Sequence, residues 1–199
     1  MTAEEYYKLL SDVMAATRVH DGRGGDIDLN SGVDRACELM AGAGSAGKKV
    51  ILIGNGGSAG IASHMAVDIW KNGGIRATTF NDSSLLTCIG NDYGYKHVFE
   101  KPMEMFAEEG DVLIAISSSG SSENILLGVG AARRKNMSVI TFSGFEGDNP
   151  LSSMGDVNFY TPCRAYGPVE VLHQMLCHCI LDTVMIRQGR LRRDSFVCL

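Results

Sequence analysis

His64 and Asp68 lie four positions apart in the stretch "GNGGSAGIASHMAVD" at 54–68. In a helix their side chains share one face about 6 Å apart along the axis, which suits two ligands of one metal or an acid–base pair. The same spacing also occurs in a simple surface hydrogen bond between His and Asp. The pair therefore identifies a candidate site and leaves its chemistry open.

A second group of such side chains lies in "GPVEVLHQMLCHC" at 167–179. At 100° per residue, Glu170, Gln174 and His178 spread over about 80° of one helix face, whereas His173 points about 140° away from His178. Glu170 and His178 are about 12 Å apart along such a helix, so they can hold one ion or substrate only if their side chains lean together. His173 is predicted to be a buried core residue.

The stretch "ISSSGSSEN" at 116–124 sets five hydroxyls around one glycine. A helix cap needs one hydroxyl, whereas a phosphate can occupy several hydroxyls and backbone N–H groups together. This favours phosphate binding. The glycine stretch at 54–59 also fits the dinucleotide pattern G-x-G-x-x-G/A, but Asp82, the acidic residue nearest the expected place, lies in the turn-like "NDSS".

Short apolar runs alternate with helical patterns from residue 46 onward, which is typical of parallel strands buried on both faces. The sequence therefore predicts an α/β fold with a central parallel sheet and ligands at the carboxyl ends of its strands. Two helices are predicted before the sheet, over 2–19 and from a cap at Asn30 or Ser31 to about 43. The later helices are predicted at 58–71, 121–135 and 168–187, and the strands lie in "KKVILIG", "IRATTF", "DVLIAISSSG", "MSVITFSG" and "DVNFYTP".

The chain of 199 residues has a net charge of -5, which gives no support to nucleic-acid binding. The basic "RQGRLRR" at 187–193 is interpreted as a solvated helix end. The six cysteines form no CxxC pair or regular framework, which favours free thiols in the cytoplasm. The N-terminus does not resemble a secretory signal, and no apolar run long enough to span a membrane is evident.

Taken together, these motifs resemble the SIS (sugar isomerase) domain family, and within it the phosphoheptose isomerase branch. The resemblance covers essentially the whole chain and rests on "GNGGS" with His64 downstream, "GNDYG", "EGDVLIAISSSGSS", "MSVITFSG" and the final helix. It implies a single domain over 1–199, with N-terminal helices at 1–45 and a flavodoxin-like α/β sandwich at 46–199. It also implies a homotetramer that interconverts sedoheptulose 7-phosphate and D-glycero-D-manno-heptose 7-phosphate.

The resemblance also implies the site residues. The phosphate would be held by Ser117, Ser118, Ser119 and Ser122. The sugar would be lined by Asn55, Gly56, Gly57, Ser58, Asn91 and Asp92, with Asp68 and Glu170 also in contact. A zinc ion would be bound by His64, Asp68, Glu170 and His178, although the family has Glu at the position of Asp68 and Gln at that of Glu170.

From these roles we expect aldose–ketose isomerisation through an enediol, with Asp68 as the base and His178 as the general acid. The two residues can exchange these roles or serve only as ligands. The departures at Asp68 and Glu170 leave a second hypothesis open, a non-catalytic SIS protein that binds a sugar phosphate or a protein partner such as a replication initiator. The third, a nucleotide-dependent oxidoreductase, requires nicotinamide binding.

Overall fold

The computed structural model describes residues 1–197, which form a seven-stranded sheet with helices on both faces. Neighbouring strands follow the order β2-β1-β7-β6-β5-β3-β4, and the last five of these are parallel. The predicted fold class and the five predicted strands are confirmed. The strands are β1 (Arg18–Asp21), β2 (Asp26–Ile27), β3 (Lys49–Gly54), β4 (Arg76–Thr79), β5 (Val112–Ser117), β6 (Ser138–Ser143) and β7 (Val157–Tyr160).

The helices lie close to the predicted stretches, and two shorter ones were not predicted. The second helix is capped by Asp28, whose Oδ1 accepts a hydrogen bond of 3.0 Å from the Ser31 backbone N–H, so the predicted cap at Asn30 or Ser31 was wrong. The unpredicted helices are α4 and α5. The full set is α1 (Ala3–Ala15), α2 (Leu29–Ser45), α3 (Gly57–Lys71), α4 (Ser83–Asp92), α5 (Glu100–Phe106), α6 (Glu123–Arg134) and α7 (Tyr166–Arg187).

The N-terminal segment 1–45 is not purely helical, which corrects the predicted division of the chain. Its glycine-rich connector forms the hairpin of β1 and β2, and β1 pairs antiparallel with β7 at the sheet edge. Asp21 closes the turn because its Oδ1 accepts from the backbone N–H groups of Arg23 and Gly25 at 2.9 and 2.8 Å. These two hydrogen bonds lower the pKa of the Asp21 carboxyl. The N-terminal segment is thus part of the sheet.

Alternate residues of the central strands enter two separate apolar cores, one on each face of the sheet. On β3, Val50 and Leu52 pack on the side of α2, α3 and α7, while Ile51 and Ile53 pack on the side of α5 and α6. All four side chains are fully buried. The sheet is therefore covered on both faces, as parallel sheets require.

The topology fixes where a ligand can bind. β4 and β5 lie on opposite sides of β3, and the helices that follow β3 and β5 cover opposite faces of the sheet. The loops after β3 and β5 therefore diverge and leave a crevice at the carboxyl ends of the strands, the usual ligand position in open α/β sheets.

Helix α7 runs from this crevice along the sheet. By length and composition alone α7 could cross a membrane, which the sequence analysis did not anticipate. In the fold its core face is buried against α2, α3 and α1, as in the core helix of a soluble domain. Cys177 is buried on α7 and Cys179 is exposed, and Cys198 lies outside the described residues.

Candidate active site

A cavity of 110 Å³ lies at the crevice between the loops after β3 and β5. Four of its side chains are the serines predicted to hold phosphate, so the structure brings these hydroxyls together. Among the described residues its lining includes no Lys or Arg. We call it the serine cavity; it is lined by Asn55, Ser58, Ser117, Ser118, Ser119, Ser122, Tyr166 and Glu170.

The serine cavity offers unused hydrogen-bond donors. Ser118 is 5% exposed, and its buried hydroxyl has no hydrogen-bond partner within residues 1–197. The helices α3 and α6 both begin at this cavity, after Gly56 and Ser122, and in the described chain neither cap residue accepts a side-chain hydrogen bond. Free N–H groups and the positive ends of two helix dipoles favour an anion here.

The loop at 116–124, which carries the serines, is held in place by contacts with Asn149 and Leu151. Gly120 has a φ of +63°, and a side chain at this position would collide with the amide of Asn149, so only glycine fits. Its carbonyl accepts from the Leu151 N–H at 3.0 Å, and its own N–H donates to the Ser117 carbonyl at 3.1 Å. Since Ser117 is itself buried, the hydroxyls are positioned before any ligand binds.

Asn55 separates the serine cavity from a second cavity of 260 Å³. Its amide exchanges two hydrogen bonds of 2.9 and 2.8 Å with the amide of Asn124, and Tyr95 donates to its Oδ1 at 3.1 Å. Gly56 lines the second cavity. The sequence analysis gave Asn124 and Tyr95 no role, although Asn124 ends the stretch "ISSSGSSEN" and Tyr95 directly follows "GNDYG".

Glu170 and Gly57 come into close contact at the start of α7 and α3. The Glu170 carboxylate occupies the space that a side chain at Gly57 would need. This contact explains the glycine and places Glu170 in the serine cavity. Glu170 therefore lies at the predicted substrate site.

Farther along the same two helices lies a cluster formed by His64, Asp68 and His178. Asp68 Oδ2 is 3.3 Å from His64 Nε2 and 4.0 Å from His178 Nδ1. The two imidazole rings meet edge to face with their centroids 5.4 Å apart. We call these three residues the histidine cluster.

The donor atoms of the histidine cluster suit a metal ion. One atom from each residue lies within 4.8 Å of the other two. Three protein ligands with an open fourth position are typical of catalytic zinc sites. The side chains remain accessible, with His64 55%, His178 39% and Asp68 21% exposed.

Glu170, the fourth predicted zinc ligand, is not part of the histidine cluster. It lies two turns before His178 on α7, and its carboxylate is directed at Gly57. Gln174 lies beside His178 instead, with Nε2 to Nε2 at 2.8 Å. Sequence analysis placed Gln174 on the correct face of α7 and gave it no role.

Asp182, one turn after His178, is a further carboxyl group near the histidine cluster. Partial burial raises the pKa of Asp182, with the nearby Asp68 adding to the rise and His178 opposing it. The sequence analysis did not consider this residue. Its spacing of four from His178 is the signal that could have found it.

The predicted sugar residues Asn91 and Asp92 are not brought to either cavity within the described chain. Both are exposed on α4, where the Asn91 amide donates to Asp92 at 2.8 Å. They contact this site only if a ligand or a second subunit bridges the gap. Asp82, expected in a turn, is the N-cap of α4, where its Oδ1 accepts from the backbone N–H groups of Ser84 and Leu85.

His173 is fully buried on α7, as predicted. Its Nε2 donates to the Ser143 carbonyl at 3.1 Å, and its Nδ1 has no partner among residues 1–197. Burial lowers the pKa of His173 to about 4, although the hydrogen bond that His173 donates to the Ser143 carbonyl opposes this shift. The imidazole is therefore neutral near pH 7 and braces the end of β6.

The model of the SIS domain family matches residues 27–144, more than half of the chain. The chain belongs to the SIS domain family. Several relatives carry the name phosphoheptose isomerase. The one from Campylobacter concisus is 36% identical over 166 residues, which cover 79% of this chain and 86% of the relative. The one from Shewanella denitrificans is 32% identical over 164 residues, covering 78% and 84%.

Solved structures agree with this assignment. The phosphoheptose isomerase from Neisseria gonorrhoeae is 36% identical with a TM-score of 0.74, covering 78% of this chain and 87% of that one. The phosphoheptose isomerase from Francisella tularensis is 26% identical with a TM-score of 0.78, covering 92% and 98%. The family resemblance found in the sequence is confirmed.

Proposed function

We propose that the protein is an aldose–ketose isomerase that converts sedoheptulose 7-phosphate to D-glycero-D-manno-heptose 7-phosphate through an enediol. The observation that carries this proposal is the serine cavity, where the unpartnered Ser118 hydroxyl faces the starts of two helices. Membership of the SIS family and the names of its relatives support the same activity.

The serine cavity binds the phosphate. Ser117, Ser118, Ser119 and Ser122 supply hydroxyl donors, and the starts of α3 and α6 supply backbone N–H groups. Because this anchor is remote from the reacting carbons, its binding energy serves to orient them.

The distance between the two parts of the site suits a long substrate. The helical rise puts His178 about 12 Å beyond Glu170 along α7. With C–C bonds of about 1.5 Å, an extended seven-carbon sugar phosphate has roughly this reach. The phosphate in the serine cavity and the first two carbons at the histidine cluster can thus be engaged together.

Proton transfer is assigned to Asp68 and His178. The Asp68 carboxylate takes the proton from the carbon next to the carbonyl, and the electron pair of that C–H bond forms the enediol double bond. His178 gives a proton to the carbonyl oxygen when its ring holds no metal; when it holds zinc it serves only as a ligand, and that oxygen takes its proton from solvent. Return of the carbon proton to the neighbouring carbon, with loss of the hydroxyl proton, completes the isomerisation without an external oxidant.

The donor set of the histidine cluster fits zinc, which His64, Asp68 and His178 would hold. Zinc bound there supplies positive charge that polarises the carbonyl of the substrate. We propose that Asn55, Gly56 and Gly57, in the loop after β3, bind the sugar.

We also propose a cytoplasmic homotetramer. Exposed apolar side chains on the outer faces of α1, α3 and α7 support assembly, since contiguous apolar patches commonly mark protein interfaces. They are Tyr7, Val67, Trp70, Val171 and Met175. Assembly could also bring Asn91 and Asp92 of a second subunit to the site.

The activity is tested by incubating the zinc-supplied protein with sedoheptulose 7-phosphate in deuterium oxide. We expect deuterium on the reacting carbons and formation of the aldose 7-phosphate. No exchange and no aldose would overturn the proposal. If sugar phosphate still binds under those conditions, the protein is a non-catalytic member of the family, and nicotinamide binding would instead support an oxidoreductase.

A further inference from the structure

The two ring nitrogens of His178 face different partners. Nδ1 is directed at Asp68, with 4.0 Å to Oδ2. Nε2 is 2.8 Å from the Gln174 amide nitrogen, one turn back on α7. The Gln174 amide therefore contacts Nε2, the ring nitrogen of His178 that does not face Asp68.

Gln174 is held in this position by packing as well as by the helix. Its amide nitrogen also lies 3.2 Å from Met65 Sδ on α3, and its side chain is half-buried between the two helices. The amide is thus fixed against one edge of the His178 ring while the other edge faces Asp68. Rotation of the ring would break both arrangements.

A histidine that binds a metal through one nitrogen carries a proton on the other, and that N–H needs an acceptor. Without metal, the Gln174 N–H donates to His178 Nε2 and the ring proton sits on Nδ1, facing Asp68. With metal on Nδ1, the ring proton sits on Nε2, and a half-turn of the amide presents Oε1 to accept it. An amide can serve both states.

We propose that Gln174 is a positioning residue for the metal centre, which holds the His178 ring so that Nδ1 is directed at the metal and Nε2–H at the Gln174 carbonyl. This inference rests on the zinc centre of the proposed function. The amide next to His178 comes from Gln174, one turn after Glu170.

The test is the zinc affinity of the purified full-length protein, measured by competition with a chromophoric chelator. Gln174→Met keeps the side-chain length and removes the hydrogen bond, so zinc affinity should fall by about 10- to 100-fold. Gln174→Glu offers a carboxylate acceptor to Nε2–H and should bind zinc at least as tightly as the wild type.

A charge control separates this contact from general attraction of the cation. Gln188→Glu adds the same charge at the end of α7, fourteen residues after Gln174 and ten after His178. Its zinc affinity should stay within about threefold of the wild type, because an exposed charge at that distance is largely screened. If Gln188→Glu strengthens binding as much as Gln174→Glu does, the effect is electrostatic and the proposal fails.

A second measurement uses only the wild-type protein, so its outcome does not depend on whether the variants fold. Long-range proton–nitrogen NMR correlations of the zinc-loaded protein should show His178 protonated at Nε2. Protonation at Nδ1 would overturn the proposal, as would equal zinc affinities for Gln174→Met and the wild type. Equal losses in the Met and Glu variants would show a packing role only, which also overturns it.

These outcomes are separate from failure of the proposed function. Zinc affinities that follow the predicted order in a protein without isomerase activity would support the role of Gln174 and reject the isomerase. Isomerase activity with unchanged zinc affinity in Gln174→Met would do the reverse. A wild type that binds no zinc would reject the metal centre and the role of Gln174 together.

Discussion

The serine cavity and the histidine cluster lie at two ends of one stretch of α3 and α7, and they are built in opposite ways. The serine cavity consists of loops after strands, with hydroxyls and backbone groups already fixed and Ser118 only 5% exposed. The histidine cluster consists of side chains on the surfaces of two helices, with His64 55% exposed. The serine cavity is thus formed before any ligand binds, whereas the histidine cluster stays open to solvent.

The residues proposed to bind phosphate and those proposed to transfer protons therefore lie in separate parts of the molecule. A cavity whose serine hydroxyls are already in place can anchor phosphate without ordering new groups on binding. An accessible cluster can admit a metal ion and the reacting carbons, but it depends on few contacts for its geometry. Changes at the two ends should therefore affect different kinetic constants.

The largest effect is expected at the reacting end. In Asp68→Asn the carboxylate that takes the carbon proton is lost, and kcat should fall by about 10²- to 10⁴-fold. Binding of inorganic phosphate, measured as competitive inhibition or by calorimetry, should remain near the wild-type value. If the variant instead shows a raised KM and an unchanged kcat, Asp68 contributes to substrate binding and does not transfer the proton.

The next effect concerns the free energy of unfolding, through His173, which is buried beside the end of β6. Because burial lowers the pKa of His173 from 6.5 to about 4, the unfolded chain binds a proton at a higher pH than the folded chain does. The free energy of unfolding should therefore fall as the pH drops from about 6.5 to about 4, by on the order of 3 kcal/mol.

Denaturant titrations of the metal-free wild type and of His173→Gln across this pH range check the prediction. The variant keeps a donor for the Ser143 carbonyl and cannot take up the proton. It should lose clearly less stability than the wild type on acidification. Parallel pH profiles would show that His173 is not the buried neutral group described above.

A smaller effect is expected for one hydroxyl of the serine cavity. Ser118→Ala removes the unpartnered donor without adding any atom, so KM for the sugar phosphate should rise by about 10- to 100-fold at similar kcat. Ser121→Ala is the matched control, because its exposed hydroxyl bonds to the Ser119 carbonyl outside the cavity lining. Steady-state kinetics that affect both variants equally would contradict the assignment.

The smallest effect is expected at Glu170. Its carboxylate shares the cavity with the phosphate site, so Glu170→Gln should tighten inorganic phosphate binding by a few fold, because a nearby like charge is removed. Calorimetry measures this change. Glu109→Gln, exposed and remote, should have no effect. Weaker phosphate binding in Glu170→Gln would mean that Glu170 does not face the anion.

The same contrast explains what the sequence could predict. The five parallel strands and the serine cavity follow from local patterns, since an apolar run, a glycine or serine turn and a helix start are contiguous in the chain. The β1–β2 hairpin was missed because its strands are short and its turn reads as a connector. Helix α4 was missed although Leu85, Leu86 and Ile89 form a partly buried apolar stripe, because its start reads as the turn "NDSS".

The histidine cluster was only half predictable. The spacing of His64 and Asp68 comes from one helix, but their meeting with His178 depends on how α3 packs against α7. The choice between Glu170 and Gln174 as the neighbour of His178 is a matter of one helical turn and of side-chain direction. The meeting with His178 cannot be read from spacing within one helix, whereas the spacing of four between Gln174 and His178 could have identified Gln174 as its neighbour.

The most direct test of the account is a structure of the wild-type protein with zinc and sedoheptulose 7-phosphate. The account predicts the phosphate within hydrogen-bond distance of the Ser118 hydroxyl, and the first two sugar carbons between Asp68 and His178. A phosphate bound outside the serine cavity would contradict it. So would reacting carbons that lie beside Glu170, far from the histidine cluster.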